Sequence, residues 1–435
     1  MEQYAGSRRL RARLMASIAE RGIQYLRSLG PGLITGASDD DPSGISTYSI
    51  AGASAGYTML WSALITTPMM AVIDGVCARV GAVTGGGLMR ALCGIMPRPV
   101  VLGLALLVLF ANTLNVGADI DGMAASAHML LAMPTPFWVV LFTGVIVVAE
   151  VFYSYRHFAR IVKWLCISLF AYVITAFVVH PPWLQILGFT LVPHVVWTAS
   201  WLTTLTGVLG TTITPYLFFW QASMTVEEAQ DHSAAEKPPA PSAKAIADLH
   251  ADVNTGAIYS NIIMFFIIVT SAATIFVHGG TIATAQDAAL ALRPLAGNLA
   301  YALFANGIIG TGLLAVPVIA GSSGYMVAEL FNFPEGLHLK LRQAPGFYGV
   351  ILLGLMAGGI MDLLHVDAIK ALFWAAVCNG VAAVPLVYAI IHVSRSQALL
   401  GEWVASKVAT RWLWLTFGLM LLSAAGMFAS WIPGL

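Results

Sequence analysis

Hydrophobic runs of about 18 or more residues recur along the whole chain, and short polar or charged stretches separate them. Each run is long enough to cross the roughly 30 Å hydrocarbon core of a bilayer as a helix. The pattern predicts an all-α integral membrane protein with about eleven spans. They are expected at residues 31–56, 57–78, 99–132, 135–153, 159–180, 197–229, 253–278, 295–328, 346–365, 367–393 and 412–432.

Composition agrees with this prediction. Of 435 residues, 58% are hydrophobic and 10% are charged, whereas soluble domains carry about 25% charged residues. The formal net charge is zero, so nothing suggests a nucleic-acid partner. Cys77, Cys93, Cys166 and Cys378 lie far apart in or beside apolar runs. We expect buried apolar side chains there, rather than a disulfide framework or a metal cluster.

The positions of Lys and Arg orient the spans. With the N-terminus inside the cell, all of the 21 Lys and Arg residues except Arg293 and Lys370 fall on the cytoplasmic side. Because cytoplasmic loops are enriched in positive charge, we expect a protein of the inner (plasma) membrane with a cytoplasmic N-terminus and an extracytoplasmic C-terminus. Residues 1–30 are basic and amphipathic and resemble a cytoplasmic lead-in more than a signal peptide.

Two spans contain helix-breaking residues at mid-length. The first span is interrupted by DDDPSG at 39–44, and the sixth by TTITP at 211–215. Paired interruptions five spans apart are typical of transporters built from two inverted repeats, which bind substrate where the half-helices meet. We expect the repeats at 31–180 and 197–393, a flexible cytoplasmic linker at 230–250 and an eleventh helix at 412–432.

No segment outside the predicted spans is long enough for a catalytic domain, so we do not expect an enzyme. A phosphate-binding loop motif is also absent from the sequence, which argues against an ATP-driven pump.

The acidic run at the first break points to a cation. One charged Asp at the bilayer centre costs about 2.5–3.5 kcal/mol even on lenient scales. Successive helical residues point about 100° apart, so Asp39, Asp40 and Asp41 cannot share one face. One is expected to face the centre of the bundle, and the others a water-filled vestibule or facing helices. Carboxylates with backbone oxygens and hydroxyls suit a hard divalent cation.

At these residues the chain resembles a known family. The stretches GPGLITGASDDDPSG, AGASAGYTMLW and ARVGAVTGGGL are similar to the first two helices of the NRAMP divalent-metal transporters, and the similarity runs through spans one to ten. The resemblance implies a LeuT-type inverted repeat with broken helices 1 and 6. It also implies metal ligands at Asp41, at Gly44 in place of the family's Asn, at Thr214 in place of its Met, and at Thr211, which offers a backbone carbonyl.

These departures from the family pattern change the expected substrate. Without the soft thioether, the site loses a preference for soft metals. A roomier site of oxygen ligands suits Mg²⁺, which keeps several waters. The pattern is similar to the NRAMP-related magnesium transporters (NRMT), a divergent bacterial branch. It implies uptake of Mg²⁺, with Mn²⁺ as a second substrate. The metal is then the transported substrate rather than a cofactor, and no obligatory protein partner is expected.

Proton coupling is expected to be lost. The family's histidine in the sixth helix falls on Tyr216, whose phenol has an ordinary pKa near 10. The position of the family's acid in the third helix aligns with Val116, which is not an acid. Asp119 and Asp121 follow it, so a shift of the alignment by a few residues would restore an acid at this position. The resemblance therefore implies passive transport. Two alternatives remain open: a proton-coupled Mn²⁺/Fe²⁺ importer and a sodium-coupled organic-solute carrier.

Other polar residues of the spans are candidates for the cavity or for support of the ligands. They are Asp39, Asp40, Ser43, Asp119, Tyr216, Gln221 and Asn379. Asn379 either faces the site or packs between helices beside Gly380, and Gln221 either lines the cavity or only bonds between helices. Asp74 and Glu150 are intramembrane acids that are functional candidates or ion-pair partners of Arg79 and Arg156.

Overall fold

The computed structural model describes residues 35–36, 38–152, 165–231, 241–360 and 367–432, and all regular structure within them is helical. The predicted lead-in at 1–30 lies outside these residues. The helices are α1 (Pro42–Ala55), α2 (Leu60–Thr84), α3 (Leu88–Ile95), α4 (Arg98–Leu130), α5 (Thr135–Phe152), α6 (Phe170–Val178), α7 (Trp183–Leu191), α8 (Ala199–Thr212), α9 (Pro215–Asp231), α10 (Ala243–Thr274), α11 (Ala285–Ala289), α12 (Arg293–Ala296), α13 (Ala300–Phe331), α14 (Pro345–Gly359), α15 (Ala368–Ser394), α16 (Gln397–Leu400) and α17 (Lys407–Ser430).

Each predicted span corresponds to a helical segment. Seven segments of the described chain are long and apolar enough to cross a membrane. The first of them, Pro42–Thr84, contains two predicted spans, which meet at a 3-10 turn where Gly56 has a φ of 59°. Two shorter apolar helices, Thr135–Val151 and Pro345–Gly359, and a bent pair, Ile167–Val178 with Trp183–Leu191, account for the fourth, ninth and fifth spans.

Three sequence expectations need correction. The linker predicted at 230–250 is shorter, because α9 continues to Asp231 and α10 already begins at Ala243, where the Ser242 side chain accepts a hydrogen bond from the amide of Ala245. The short helix α3 and the second half of the bent pair, α7, lie between the predicted spans, where no helix was expected. Cys93, on α3, is exposed, whereas Cys77 is buried and Cys378 is partly buried.

Close backbone contacts hold the broken helices inside the bundle. A Cβ atom added to Gly36 would lie 2.4 Å from the Cα of Gly256 on α10. A Cβ atom on Gly210 of α8 would lie 2.3 Å from the backbone nitrogen of Gly380 on α15. An apolar stretch of 18 residues within the segment Ala199–Gln230 is entirely buried. The interrupted backbone is therefore enclosed by protein, which is the condition for non-helical backbone at membrane depth.

Candidate metal centre at the two helix breaks

The first break leaves the Asp41 carboxylate at the start of a helix. Helical residues 38–39 are followed by Asp40 and Asp41 outside the helix, and α1 begins at Pro42. Asp41 has extended backbone angles, φ −69° and ψ 171°, and its side chain caps α1 by accepting from the amide of Gly44. Asp at the N-cap and Pro at the first helical position are both favoured local choices. The sequence DPSG therefore builds the break by itself.

The second break frees a carbonyl in the facing helix. Helix α8 ends at Thr212, and α9 begins at Pro215. Since proline has no N–H, it cannot supply the bond that an uninterrupted helix would give to the carbonyl of Thr211. The same reasoning applies to Pro42 and the carbonyl of Ser38, where the hydroxyl of Tyr216 donates instead, at 3.2 Å. The two breaks are thus joined through Tyr216.

Four neutral groups donate to the Asp41 carboxylate. Its Oδ1 accepts from the amide of Gly44 at 2.6 Å and the hydroxyl of Ser43 at 2.7 Å. Its Oδ2 accepts from Nδ2 of Asn115 at 2.9 Å and shares the O–H of Tyr216, at 3.3 Å, with the carbonyl of Ser38. The residue is fully buried. These bonds hold the carboxylate in place without a cationic side chain, so its charge is available to a bound cation.

Asn115 of α4 links Asp41 to further polar groups. Its Nδ2 also approaches Oδ2 of Asp119 at 3.4 Å, and its Oδ1 accepts from Nδ2 of Asn379 at 3.1 Å. Asp119 in turn accepts from the amide of Ser43 at 3.2 Å. Of the two expectations for Asn379, the structure therefore favours a side chain that faces the site.

Asn115 was not among the predicted site residues, and the family's third-helix acid was placed at the neighbouring Val116. Val116 instead packs in an apolar cluster, beside Gly358 of α14. Asn115 and Asp119 are four residues apart and therefore share one helix face, which is the face toward Asp41. That spacing was the available signal in the sequence.

Two buried oxygens at the site have no hydrogen-bond partner. They are the hydroxyl of Thr214, in the second break, and Oδ1 of Asn379. Both residues are 0% exposed. Buried polar atoms in native proteins are nearly always paired, so these two unpaired oxygens are candidate ligands for a hard cation, which binds through oxygen atoms.

The remaining candidates have separate surroundings. The hydroxyl of Ser260 on α10 lies 2.6 Å from Oδ2 of Asp39 and 3.2 Å from Oδ1 of Asp40. The hydroxyl of Thr211 lies 3.4 Å from that of Ser43. Gln221 accepts from the hydroxyl of Thr35 at 2.7 Å, which favours the expectation that it bonds between helices.

The expected ion pair between Asp74 and Arg79 is not formed. Arg79 donates to the carbonyl of Trp403 and lies 2.7 Å from Nε2 of His250. Oδ1 of Asp74 and both carboxylate oxygens of Glu150 are buried without a partner, and Arg156 lies outside the described residues. Within the described chain, no three His, Cys, Asp or Glu side chains are grouped to hold a metal ion. The candidate metal ligands around Asp41 are therefore its own carboxylate and nearby hydroxyl, amide and carbonyl oxygens.

A helical bundle with two spans broken around a buried carboxylate defines a class, the membrane proteins of the LeuT fold. Two solved structures agree with this assignment of the fold. The Eremococcus coleocola manganese transporter, in complex with an aromatic bis-isothiourea compound, superposes with a TM-score of 0.70 at 17% identity, over 94% of this chain and 88% of that one. Mhp1, a nucleobase-cation-symport-1 family transporter in a closed conformation, gives 0.55 at 14% identity, over 93% and 90%.

The chain belongs to the Nramp family, described as natural resistance-associated macrophage protein-like, whose profile matches residues 32–430. Two relatives are both called divalent metal cation transporter MntH. The one from Granulibacter bethesdensis is 24% identical, over 97% of this chain and 94% of its own length. The one from Deinococcus radiodurans is 28% identical, over 82% and 81%.

Proposed function

We propose that this protein is a passive transporter of divalent metal cations, with Mg²⁺ as its main substrate and Mn²⁺ as a second. It would lie in the inner membrane with its N-terminus in the cytoplasm, and the metal would be cargo rather than cofactor. Family membership and relatives called divalent metal cation transporters support metal transport. The preference for Mg²⁺, and a place in the NRMT branch, rest on the residues at the two breaks.

The observation that carries the proposal is the set of oxygens around Asp41. The carboxylate is held by groups that donate through nitrogen or oxygen. The unpaired hydroxyl of Thr214 stands in the second break, where the family resemblance places a thioether. Oxygen ligands favour hard cations, and thioethers favour soft ones. Mg²⁺ binds typically through one or two carboxylates and retains several waters.

The passive character of transport is supported by Tyr216. Its single O–H is shared between the carbonyl oxygen of Ser38 at 3.2 Å and Oδ2 of Asp41 at 3.3 Å, so it serves as a donor at the position of the family's histidine. A phenol with an ordinary pKa near 10 holds its proton at neutral pH. We infer that metal entry draws on the cation gradient and the membrane potential.

A second candidate function, proton-coupled import of Mn²⁺ or Fe²⁺, has one observation in its favour. Asp119 is a buried acid that one amide side chain, that of Asn115, connects to Asp41. An acid in that position can release a proton when a cation binds to its neighbour, because nearby positive charge favours the carboxylate form. The sodium-coupled organic-solute carrier rests only on the shared fold.

Flux in proteoliposomes distinguishes these functions. Vesicles carrying a metal-sensitive dye and a pH dye are held negative inside, and Mg²⁺, Mn²⁺ or Na⁺ is added outside. We expect Mg²⁺ and Mn²⁺ to enter, with a measurable inward current and no internal acidification. Acidification that scales with metal concentration, and that is lost in Asp119→Asn, would establish the proton-coupled function. An absence of divalent entry at any concentration would refute metal transport.

A further inference from the structure

Asp39 and Asp40 form an acidic pair whose hydrogen-bond partners differ from those of Asp41. The hydroxyl of Ser260 lies 2.6 Å from Oδ2 of Asp39 and 3.2 Å from Oδ1 of Asp40. None of the four groups that donate to Asp41 donates to this pair in the contacts described. Ser260 belongs to α10, whereas Asn115 belongs to α4, so the two carboxylate environments are built on different helices.

The pair is short of hydrogen-bond donors. A serine hydroxyl carries one hydrogen, so Ser260 cannot satisfy both carboxylates at once. The second oxygen of each acid, Oδ1 of Asp39 and Oδ2 of Asp40, has no partner at all. Both residues are 0% exposed. A buried carboxylate without compensation is costly, so these oxygens require a positively charged ligand or a proton.

A third buried acid with an unpaired oxygen lies on another helix. Asp74 of α2 is 2% exposed, and its Oδ1 has no hydrogen-bond partner. It is close enough to Asp39 for the two charges to act on each other. Arg79, the nearest cation along α2, is engaged with Trp403 and His250 instead. Within the described residues, the ion pairs found elsewhere join Arg90 with Glu335 and His338 with Glu227.

We propose that Asp39, Asp40 and Ser260, with the charge of Asp74 acting on Asp39, form a second binding position for a hydrated divalent cation. The inference rests on the proposed function, because it adds a second binding position for the same substrate along its transport path. The three acids are not grouped closely enough to hold a metal together directly. The ion therefore keeps water between itself and part of the set, as Mg²⁺ commonly does. Two cations on neighbouring sites repel each other, which speeds release of the leading ion.

Counting bound ions tests the proposal. Purified protein is titrated with Mn²⁺, and free Mn²⁺ is measured by electron paramagnetic resonance, with Mg²⁺ as competitor. We expect two Mn²⁺ per chain in the wild type and one in Asp39→Asn/Asp40→Asn. We also expect one in Asp41→Asn, so that each variant removes a different position. The control is Asp248→Asn, which removes an exposed acid from α10 and should leave two.

Binding of two ions by the double variant, or of one ion by the wild type while divalent uptake persists, would overturn the second position and leave the proposed function standing. One ion in the wild type is expected if the pair is simply protonated, and two ions in the double variant are expected if the second position lies elsewhere. A wild type that neither binds nor transports metal would instead remove both. Ser260→Ala, which keeps both acids, covers the case in which the double variant does not fold. It should weaken the second Mn²⁺ about 2- to 10-fold, the range for one lost hydrogen bond, and unchanged affinity would count against the proposal.

Discussion

Replacing Asp41 by asparagine removes the charge while keeping the shape of the side chain. The amide oxygen can still accept from the amide of Gly44 and the hydroxyl of Ser43, so the cap on α1, worth about 1 kcal/mol, is kept. The new NH₂ group faces Nδ2 of Asn115, where two donors now meet. A buried donor left unpaired costs about 1–3 kcal/mol. We expect Asp41→Asn to fold, with a loss of stability in that range.

The effect on the cation is larger than the effect on stability. Removing one charge from a buried pair costs about 2–5 kcal/mol of binding, equal to roughly a 30- to 5,000-fold loss of affinity. Calorimetry with Mg²⁺ and Mn²⁺ measures this loss, and uptake into proteoliposomes should fall to background. The control is Asp248→Asn, a charge removal at an exposed position. If folded Asp41→Asn takes up Mg²⁺ within about threefold of the wild-type rate, Asp41 is not the central ligand.

Four further substitutions test other parts of the structure. Thr214→Met should raise the preference for Cd²⁺ over Mg²⁺ by about tenfold; equal preference in calorimetry would exclude ligand softness as the discriminator. Asn115→Leu removes the amide between Asp41 and Asn379 and should weaken Mn²⁺ binding by about 1–3 kcal/mol. An unchanged affinity for Mn²⁺ would show that this amide does not contribute to metal binding. Gly380→Ala places a Cβ 2.5 Å from a backbone oxygen of α8. The melting temperature of the variant should fall, because overpacking costs about 1–3 kcal/mol. An unchanged melting temperature would mean that α8 and α15 can move apart without loss of stability. Burial raises the pKa of Glu335 to about 8, so the folded state binds its proton more tightly than the unfolded state does, and stability is lost as pH rises from about 4.5 through 8. Glu335→Gln should flatten that decline in melting temperature between pH 6 and 9, and parallel curves would contradict the assignment.

The breaks were predictable because their residues act locally. A proline removes one N–H wherever it stands, and an Asp before Pro caps the helix that follows, so positions 41–44 and 214–215 could be placed from the sequence. Asn115 could not be placed in this way. Its role depends on how α4 is rotated against α1, which a helix with apolar residues on all sides does not reveal. The placement of Asp41 beside Asn115 was not predictable for the same reason.

The start of α10 was missed for a different physical reason. Residues 243–250 are helical but too polar for a membrane span, and hydropathy marks only the part of a helix that meets lipid. The alanines of AKAIADLHA favour a helix in water as well. The sequence therefore predicted the apolar part of this helix, but not the residue at which the helix begins.

The contact between Gly210 and Gly380 has a consequence for how the bundle moves. Where two helices touch through glycines, their backbones meet with few atoms between them, so we expect the crossing angle to change more easily there than where large side chains interlock. We expect such a contact to act as a pivot, and distances close to a pivot change least. Thr211 and Asn379 each adjoin one of these two glycines in the chain. The oxygens from α8 and α15 would thus keep their spacing while the ends of both helices swing.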